Sequence, residues 1–223
     1  MRDEHETDVL VPEHWFQTPV WVRQVVGHER INAHILTVLR RLEATTRSVT
    51  RSNEGGWHSH ERLHRDEDLA EVTRIFGLTC VGCAKFMEFD FDNYDLAITQ
   101  MWLNKNGPGD YNKAHIHPNA IMSGTYYVQT PPRSGNIELH DPVPARPMLP
   151  FPVKKRKPNN SPSVEYACQE GLLLVFPSWL LHSVQPNRSD EFRVSISFNV
   201  GFHRSTTARG DTNAGVTADG KSE

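Results

Sequence analysis

The segment GPGDYNKAHIHPNAIMSGTYYV carries two histidines, His115 and His117, separated by one residue. On an extended backbone such residues point to the same side, so their imidazoles can share a metal ion. A third imidazole, His182, follows the apolar run GLLLVFPSW, whose strand pairing can return it to the other two across a sheet. Three nitrogen donors on one side of a metal form a facial set, the geometry of non-haem iron(II) centres, which keeps coordination positions open for a bidentate cosubstrate and oxygen. The common set there is two histidines and one carboxylate. Here His117 stands in the carboxylate position, which raises the net charge of the site.

Eleven residues beyond His182 the run FRVSISFN alternates with period two, so Arg193, Ser195, Ser197 and Asn199 share one face. An arginine on an inward face needs an anion. Its planar fork matches a carboxylate, and Ser195 can add a hydroxyl bond to the same group. Asn104, Tyr126 and Tyr127 lie near strand centres, where an amide or a hydroxyl can enter a cavity; Trp102 and Trp179 read as core or mouth-lining aromatics. His58, His60 and His64 have a comparable spacing but fall in a polar stretch without strand pattern, and are expected to face solvent. Cys80 and Cys83 form a single CxxC with no second pair and no βαβ context, which reads as two thiols one turn apart on a helix.

The elements that must position these residues are mostly strands. After Asp95 the runs LAITQMWLN, SGTYYVQT, GNIELHD, EGLLLVFP and FRVSISFNV are short, β-branched or aromatic, and separated by Gly, Pro, Asn and Asp. This predicts an antiparallel barrel or sandwich. Upstream, apolar residues at three- and four-residue intervals predict an amphipathic helix over Val20 to Leu42, and a second helix is expected from Asp66 to about Phe76. Between them TTRSVTRSNEGGWHSHERLHR reads as an ordered loop, with a turn at Gly55-Gly56 and an anchor at Trp57. The proline-rich stretch from Asp141 to Ser163, with the basic run Lys154 to Lys157, is expected to be a long loop over the cavity mouth. Residues 1–10 and 204–223 are polar and aperiodic and are expected to be loose, leaving 11–203 as one domain.

Composition narrows the partners. With 24 basic and 27 acidic residues, the net charge of −3 offers no attraction to nucleic acid or to an anionic membrane surface. The first residues, MRDEHETDVLVPEH, are charged where a secretory leader needs an apolar run, and no window approaches a membrane span. Three cysteines are few and odd in number, in keeping with a reducing, cytoplasmic location. For oligomeric state, a homodimer is the commonest arrangement among soluble oligomers.

Taken in order, GGWHS, MWLNKNGPGDYNKAHIHPNAIMSGTYYV, GLLLVFPSWLLHSV and RVSISFN resemble a bacterial and phage family of 2-oxoglutarate- and iron(II)-dependent oxygenases, within the double-stranded β-helix superfamily. The resemblance runs from about Val11 to Phe202. It implies a mainly β jelly-roll, cupin-like barrel with helices packed on it from the N-terminal part. It also implies iron held by His115, His117 and His182, with 2-oxoglutarate received by Arg193 and Ser195. Asn104 and Tyr126 are candidates for holding the cosubstrate. Two variants stay open: Asn119 or water completing the metal site, or His117 as the first histidine ligand with His115 as a neighbour. The implied reaction consumes molecular oxygen and 2-oxoglutarate, releases succinate and carbon dioxide, and hydroxylates a small-molecule or protein substrate. A cupin-type dioxygenase or isomerase is the second reading, although the glutamate of the cupin first motif is missing after His117. A jelly-roll binding module is the third.

Overall fold

The computed structural model describes residues 11, 13, 15–143, 152–157 and 160–206. The expected loose N-terminus, residues 1–10, lies outside the described residues, as do 207–223 of the tail expected from 204 and residues 144–151 and 158–159 of the proline-rich loop; Arg204 belongs to the last strand, and the basic residues 154–157 are described and exposed.

Among the described residues eleven strands and two α-helices follow one another in the order β1 (Trp21–Gln24), α1 (His28–Thr45), β2 (Asn53–Glu54), β3 (Trp57–His58), α2 (Ala70–Phe86), β4 (Tyr94–Asn106), β5 (Tyr111–His115), β6 (Met122–Gln129), β7 (Ile137–His140), β8 (Ser163–Tyr166), β9 (Leu172–Pro177), β10 (His182–Val184) and β11 (Arg193–Arg204). All pairings between these strands are antiparallel. One sheet has six strands in the order β1-β9-β6-β11-β4-β3, the other five in the order β2-β5-β10-β7-β8. This is the antiparallel sandwich expected from the strand runs and the jelly roll the resemblance implies, built as two facing sheets rather than a closed ring.

Strand alternation divides the six-stranded sheet into two chemistries. On β4, Met101 and Leu103 face outward, and on β11 Val194, Ile196, Phe198 and Val200 do the same. Against them pack Ile31, Ile35, Val38, Leu39 and Leu42 of α1 and Val72, Phe76, Cys80, Cys83 and Ala84 of α2, making one apolar core outside the sandwich. The inner face of the same strands is polar and fronts the cavity. A smaller apolar cluster, with Ile137, Leu139, Leu174, Phe176 and Leu180, closes one end of the space between the sheets.

The helix boundaries differ from the periodicity reading. The first helix begins at His28, not Val20, because residues 21–24 add an edge strand to β9 and Gly27, with φ at +70°, turns the chain before α1 starts. The second begins at Ala70 and runs to Phe86, ten residues past the expected end; two short 3₁₀ turns at Leu63–Arg65 and Glu67–Leu69 precede it. Cys80 and Cys83 lie one turn apart on α2, buried and unbonded, and burial pushes both thiols up, Cys83 to about 11. They belong to the packing core.

Candidate active site

A cavity of about 600 Å³ opens between the sheets. The three histidines meet at its wall. His115 ends β5 and His182 begins β10, and the two are direct partners in the antiparallel pairing. His117 lies just beyond β5, where its backbone N–H donates to the Ser178 carbonyl at 3.0 Å. Ring centroids stand 4.3 Å apart for His115 and His182, 4.9 Å for His115 and His117, and 5.1 Å for His117 and His182. One ring nitrogen from each lies within 4.8 Å of the others, the only such group of three metal-capable side chains among the described residues.

Two of these rings are oriented by their own backbone. Nδ1 of His115 lies 2.7 Å from the Lys113 carbonyl and Nδ1 of His182 2.8 Å from the Leu180 carbonyl. A carbonyl accepts, so each Nδ1 carries the proton and each Nε2 presents its lone pair, as a metal requires. Burial lowers all three pKa values, and repulsion from neighbouring rings adds to it for His117, at about 4, and His182, at about 3. At neutral pH the cluster is therefore uncharged and ready to donate.

The inner face of the six-stranded sheet supplies the opposite wall in rows set by strand register. Asn106 pairs with Arg193; Asn104 with Ser195, which pairs on its other side with Tyr127; Trp102 with Ser197, which pairs on its other side with Thr125; and Gln100 with Asn199. Arg193 is only 1% exposed. Its Nη1 donates to the carbonyls of Ser134 and, at 3.2 Å, Gln185, while Nη2 has no hydrogen-bond partner among the described residues. A buried guanidinium half paired in this way is costly unless an anion completes it. Ser195 lines the cavity two residues along, and Asn104 donates weakly to Ser197 at 3.4 Å while its Oδ1 stays unpartnered.

Tyr126 is placed differently from the expectation. It faces the helices, donates to Oδ1 of Asn32 on α1 at 2.6 Å and packs on Phe76. Its neighbour Tyr127 takes the inner side, buried against Cys168 and within the field of Arg193. Asn119 is exposed in a turn with φ at +66° and lies off the cavity. Trp179 is half exposed, whereas Trp102 lines the cavity.

His58 corrects a second expectation. It is 3% exposed, stacked on Trp102 with centroids 5.8 Å apart, and its Nδ1 lies 2.6 Å from the Ser59 carbonyl, which turns Nε2 away from its own backbone. Strand β3, two residues long, carries it to the cavity by pairing His58 with Asn104. So short a strand shows no alternation, and the only signal was its place after the Gly55-Gly56 turn and Trp57. His60 is exposed, as expected, and His64 is half-buried. Sequence reasoning also passed over Glu61, Gln100, Arg51 and Ser52 at the mouth; Ser52 Oγ lies 3.3 Å from Nε2 of His115.

Residues 100–199 match the family model described as "Putative 2OG-Fe(II) oxygenase". No curated protein matches by sequence. Among solved structures, the chain is similar to a Pseudomonas putida prolyl-4-hydroxylase, with a TM-score of 0.59 and 13% identity over 82% of this chain and 93% of that one. It is similar to the non-heme alpha ketoglutarate dependent epimerase SnoN of nogalamycin biosynthesis, with a TM-score of 0.60 and 16% identity over 92% and 87%. HygX from Streptomyces hygroscopicus, solved with nickel and 2-oxoglutarate bound, gives a TM-score of 0.57 and 11% identity over 82% and 83%. At such identities the structures establish the double-stranded β-helix fold, and the family model covers the segment that carries His115, His117, His182 and Arg193. Sequence match over residues 100–199, fold and a histidine cluster suited to a metal thus point the same way, toward similarity with the iron(II)- and 2-oxoglutarate-dependent oxygenases.

Proposed function

We propose that His115, His117 and His182 are the iron ligands and that Arg193 and Ser195 receive the distal carboxylate of 2-oxoglutarate. The observation that carries this reading is the free Nη2 of a fully buried arginine on the wall of the cavity that holds the histidine cluster. Among the described residues no group accepts a hydrogen bond from that nitrogen, and a carboxylate fits its fork. Tyr127, on the same row as Ser195, takes the place expected for Tyr126, and Asn104 offers an acceptor beside it.

When bound, iron and 2-oxoglutarate supply the oxidative decarboxylation that releases succinate and carbon dioxide and drives oxidation of the substrate. The chain's part is to hold and exclude. His115 and His182 keep their Nε2 lone pairs presented through bonds to backbone carbonyls, so metal binding needs no proton release at neutral pH. Arg193 anchors the far end of the cosubstrate, and the sheet wall from Trp102 to Phe176 shields the cluster from bulk water.

A substrate enters from the side of Arg51, Glu61 and Lys113, where the cavity opens. Its volume suits a small molecule or a single side chain of a protein, and hydroxylation is the outcome we assign. No helix among the described residues is long and apolar enough to cross a membrane, and all three cysteines are free, which supports a reducing cytoplasmic location.

The test is anaerobic titration of the iron(II)-loaded protein with 2-oxoglutarate, following the weak visible charge-transfer band of a chelated keto acid. The band should form in the wild type and be lost in Arg193→Ala at the same cosubstrate concentration. Iron binding without any band would favour the cupin reading.

A further inference from the structure

Replacing the usual carboxylate ligand by His117 leaves a metal at this site with three neutral protein donors, so the negative charge that normally offsets the ion is missing from its ligands. A carboxylate nevertheless lines the same cavity. Glu61 follows β3 and is held by its backbone, whose carbonyl accepts from Met101 N–H at 3.0 Å, and its side chain is 26% exposed.

Both carboxylate oxygens are fixed by a one-way chain of donors. Ser123 Oγ donates to Asn199 Oδ1 at 2.8 Å, Asn199 Nδ2 to Gln100 Oε1 at 2.7 Å, and Gln100 Nε2 to Glu61 Oε2 at 2.9 Å. From the outer side Arg51 Nε donates to Oε1 at 2.6 Å. Every amide in the chain has its orientation set by the next, because an amide that both donates and accepts cannot flip without losing two bonds. Such a chain keeps the carboxylate from swinging toward the metal or away into solvent. Arg51 is 55% exposed, so water screens its charge more than that of the inner partner. Glu61 is thus a fixed carboxylate in the lining of the cavity that holds His115, His117 and His182.

We propose that Glu61 is a positioning residue that serves as a fixed outer counter-charge for the three-histidine metal site, standing in electrostatically for the carboxylate absent from the ligand set. This rests on the assignment of His115, His117 and His182 as ligands. The role is distinct from coordination, since both oxygens are engaged by Arg51 and Gln100. It binds the metal more tightly and favours the higher oxidation state, because negative charge stabilises the more positive ion.

The probe is cobalt(II) alone, titrated into the full chain in the absence of 2-oxoglutarate and followed by its visible ligand-field bands. Glu61→Gln, which keeps shape and removes charge, should weaken cobalt(II) binding about tenfold, near the lower end of what loss of a supporting outer group costs a metal site. Glu61→Asp should restore most of that affinity. Arg51→Gln should bind cobalt(II) at least as tightly as the wild type, because it removes the opposing charge. Glu54→Gln, which frees Lys113 at the mouth instead, should stay within about twofold. In the iron-loaded protein, the iron(III)/iron(II) potential should rise in Glu61→Gln. Cobalt(II) affinity in Glu61→Gln within about twofold of wild type would overturn the proposal, as would equal weakening in Glu61→Gln and Arg51→Gln, which would make the bridge and not the charge responsible. If His182→Ala binds cobalt(II) as tightly as the wild type, the ligand assignment itself fails, an outcome separable from the Glu61 result.

Discussion

His182 is the histidine on which the cluster turns, because it alone comes from the later strand and faces His115 directly across the pairing. His182→Ala leaves two donors on one short segment, and iron(II) or cobalt(II) binding should be lost; a metal-to-protein ratio still near one by elemental analysis would remove His182 from the site. Arg193→Ala should leave metal binding intact and raise the 2-oxoglutarate concentration needed by at least about tenfold, the loss of a charge-assisted bond worth roughly 1.5–3 kcal/mol. Unchanged dependence on 2-oxoglutarate would free Arg193 from that role. The depressed imidazole pKa values also make a pH prediction. Folded-state values of about 4 and about 3, against an ordinary 6.5, mean that the unfolded chain takes up more protons than the folded one between these limits. Stability of the metal-free protein is then complete above pH 6.5 and falls with acidification toward pH 3, by roughly a few kcal/mol in all. Thermal melting recorded from pH 7 to 4 should show that decline, and it should weaken in His182→Ala, which removes the lowest of the three.

Short elements do much of the positioning. Strand β3 spans two residues, yet it delivers His58 to the cavity and is clamped on both sides, with His58 N–H donating to Ser48 Oγ at 3.1 Å and Val49 N–H to the His58 carbonyl at 2.9 Å. Strand β6 depends on a glycine for a different reason. Gly124 stands opposite Phe198 of β11, and a Cβ there would overlap the phenyl ring and come 2.9 Å from the Leu174 carbonyl on β9. Gly124→Ala should therefore destabilise the sheet by roughly 1–3 kcal/mol, the usual range for overpacking a tight core, read as a lower urea midpoint. A midpoint equal to the wild type would show that Phe198 can move aside. The long strands were legible because four or more alternating residues leave a pattern. The two-residue strands were not, since a pattern needs length, and the four-residue edge strand β1 was absorbed into the helical period read from Val20.

The molecule separates its load-bearing core from its chemistry. Helices α1 and α2 pack on the outer face of the six-stranded sheet, while the cavity lies on the inner face. Phe76, stacked on Phe198 with centroids 4.6 Å apart and touching Tyr126, sits at the centre of the outer core. Phe76→Ala should cost about 3–5 kcal/mol of stability, and the surviving folded protein at low temperature should still bind cobalt(II) with near-native affinity. A variant that folds but has lost the metal would show that the two faces are coupled through the strands more strongly than this layering implies.

Local chemistry was readable without a structure where a residue type and its period were enough. The HxH pair, the His182 that follows an apolar strand and the Arg-x-Ser alternation all follow from spacing along single strands, and so did the antiparallel β class, which the resemblance narrowed to a jelly roll. Which face of a strand points inward is a different kind of fact. Tyr126 and Tyr127 are adjacent and chemically alike, and they part only because helices cover one side of β6 and the cavity the other. His58 and Glu61 come to the cavity from a stretch that reads as a polar loop, through pairing with β4 and a side-chain bond between Gln100 and Glu61, 39 positions apart. Spacing determines what a strand can present; long-range pairing determines to what it is presented, and that depends on contacts no local window contains.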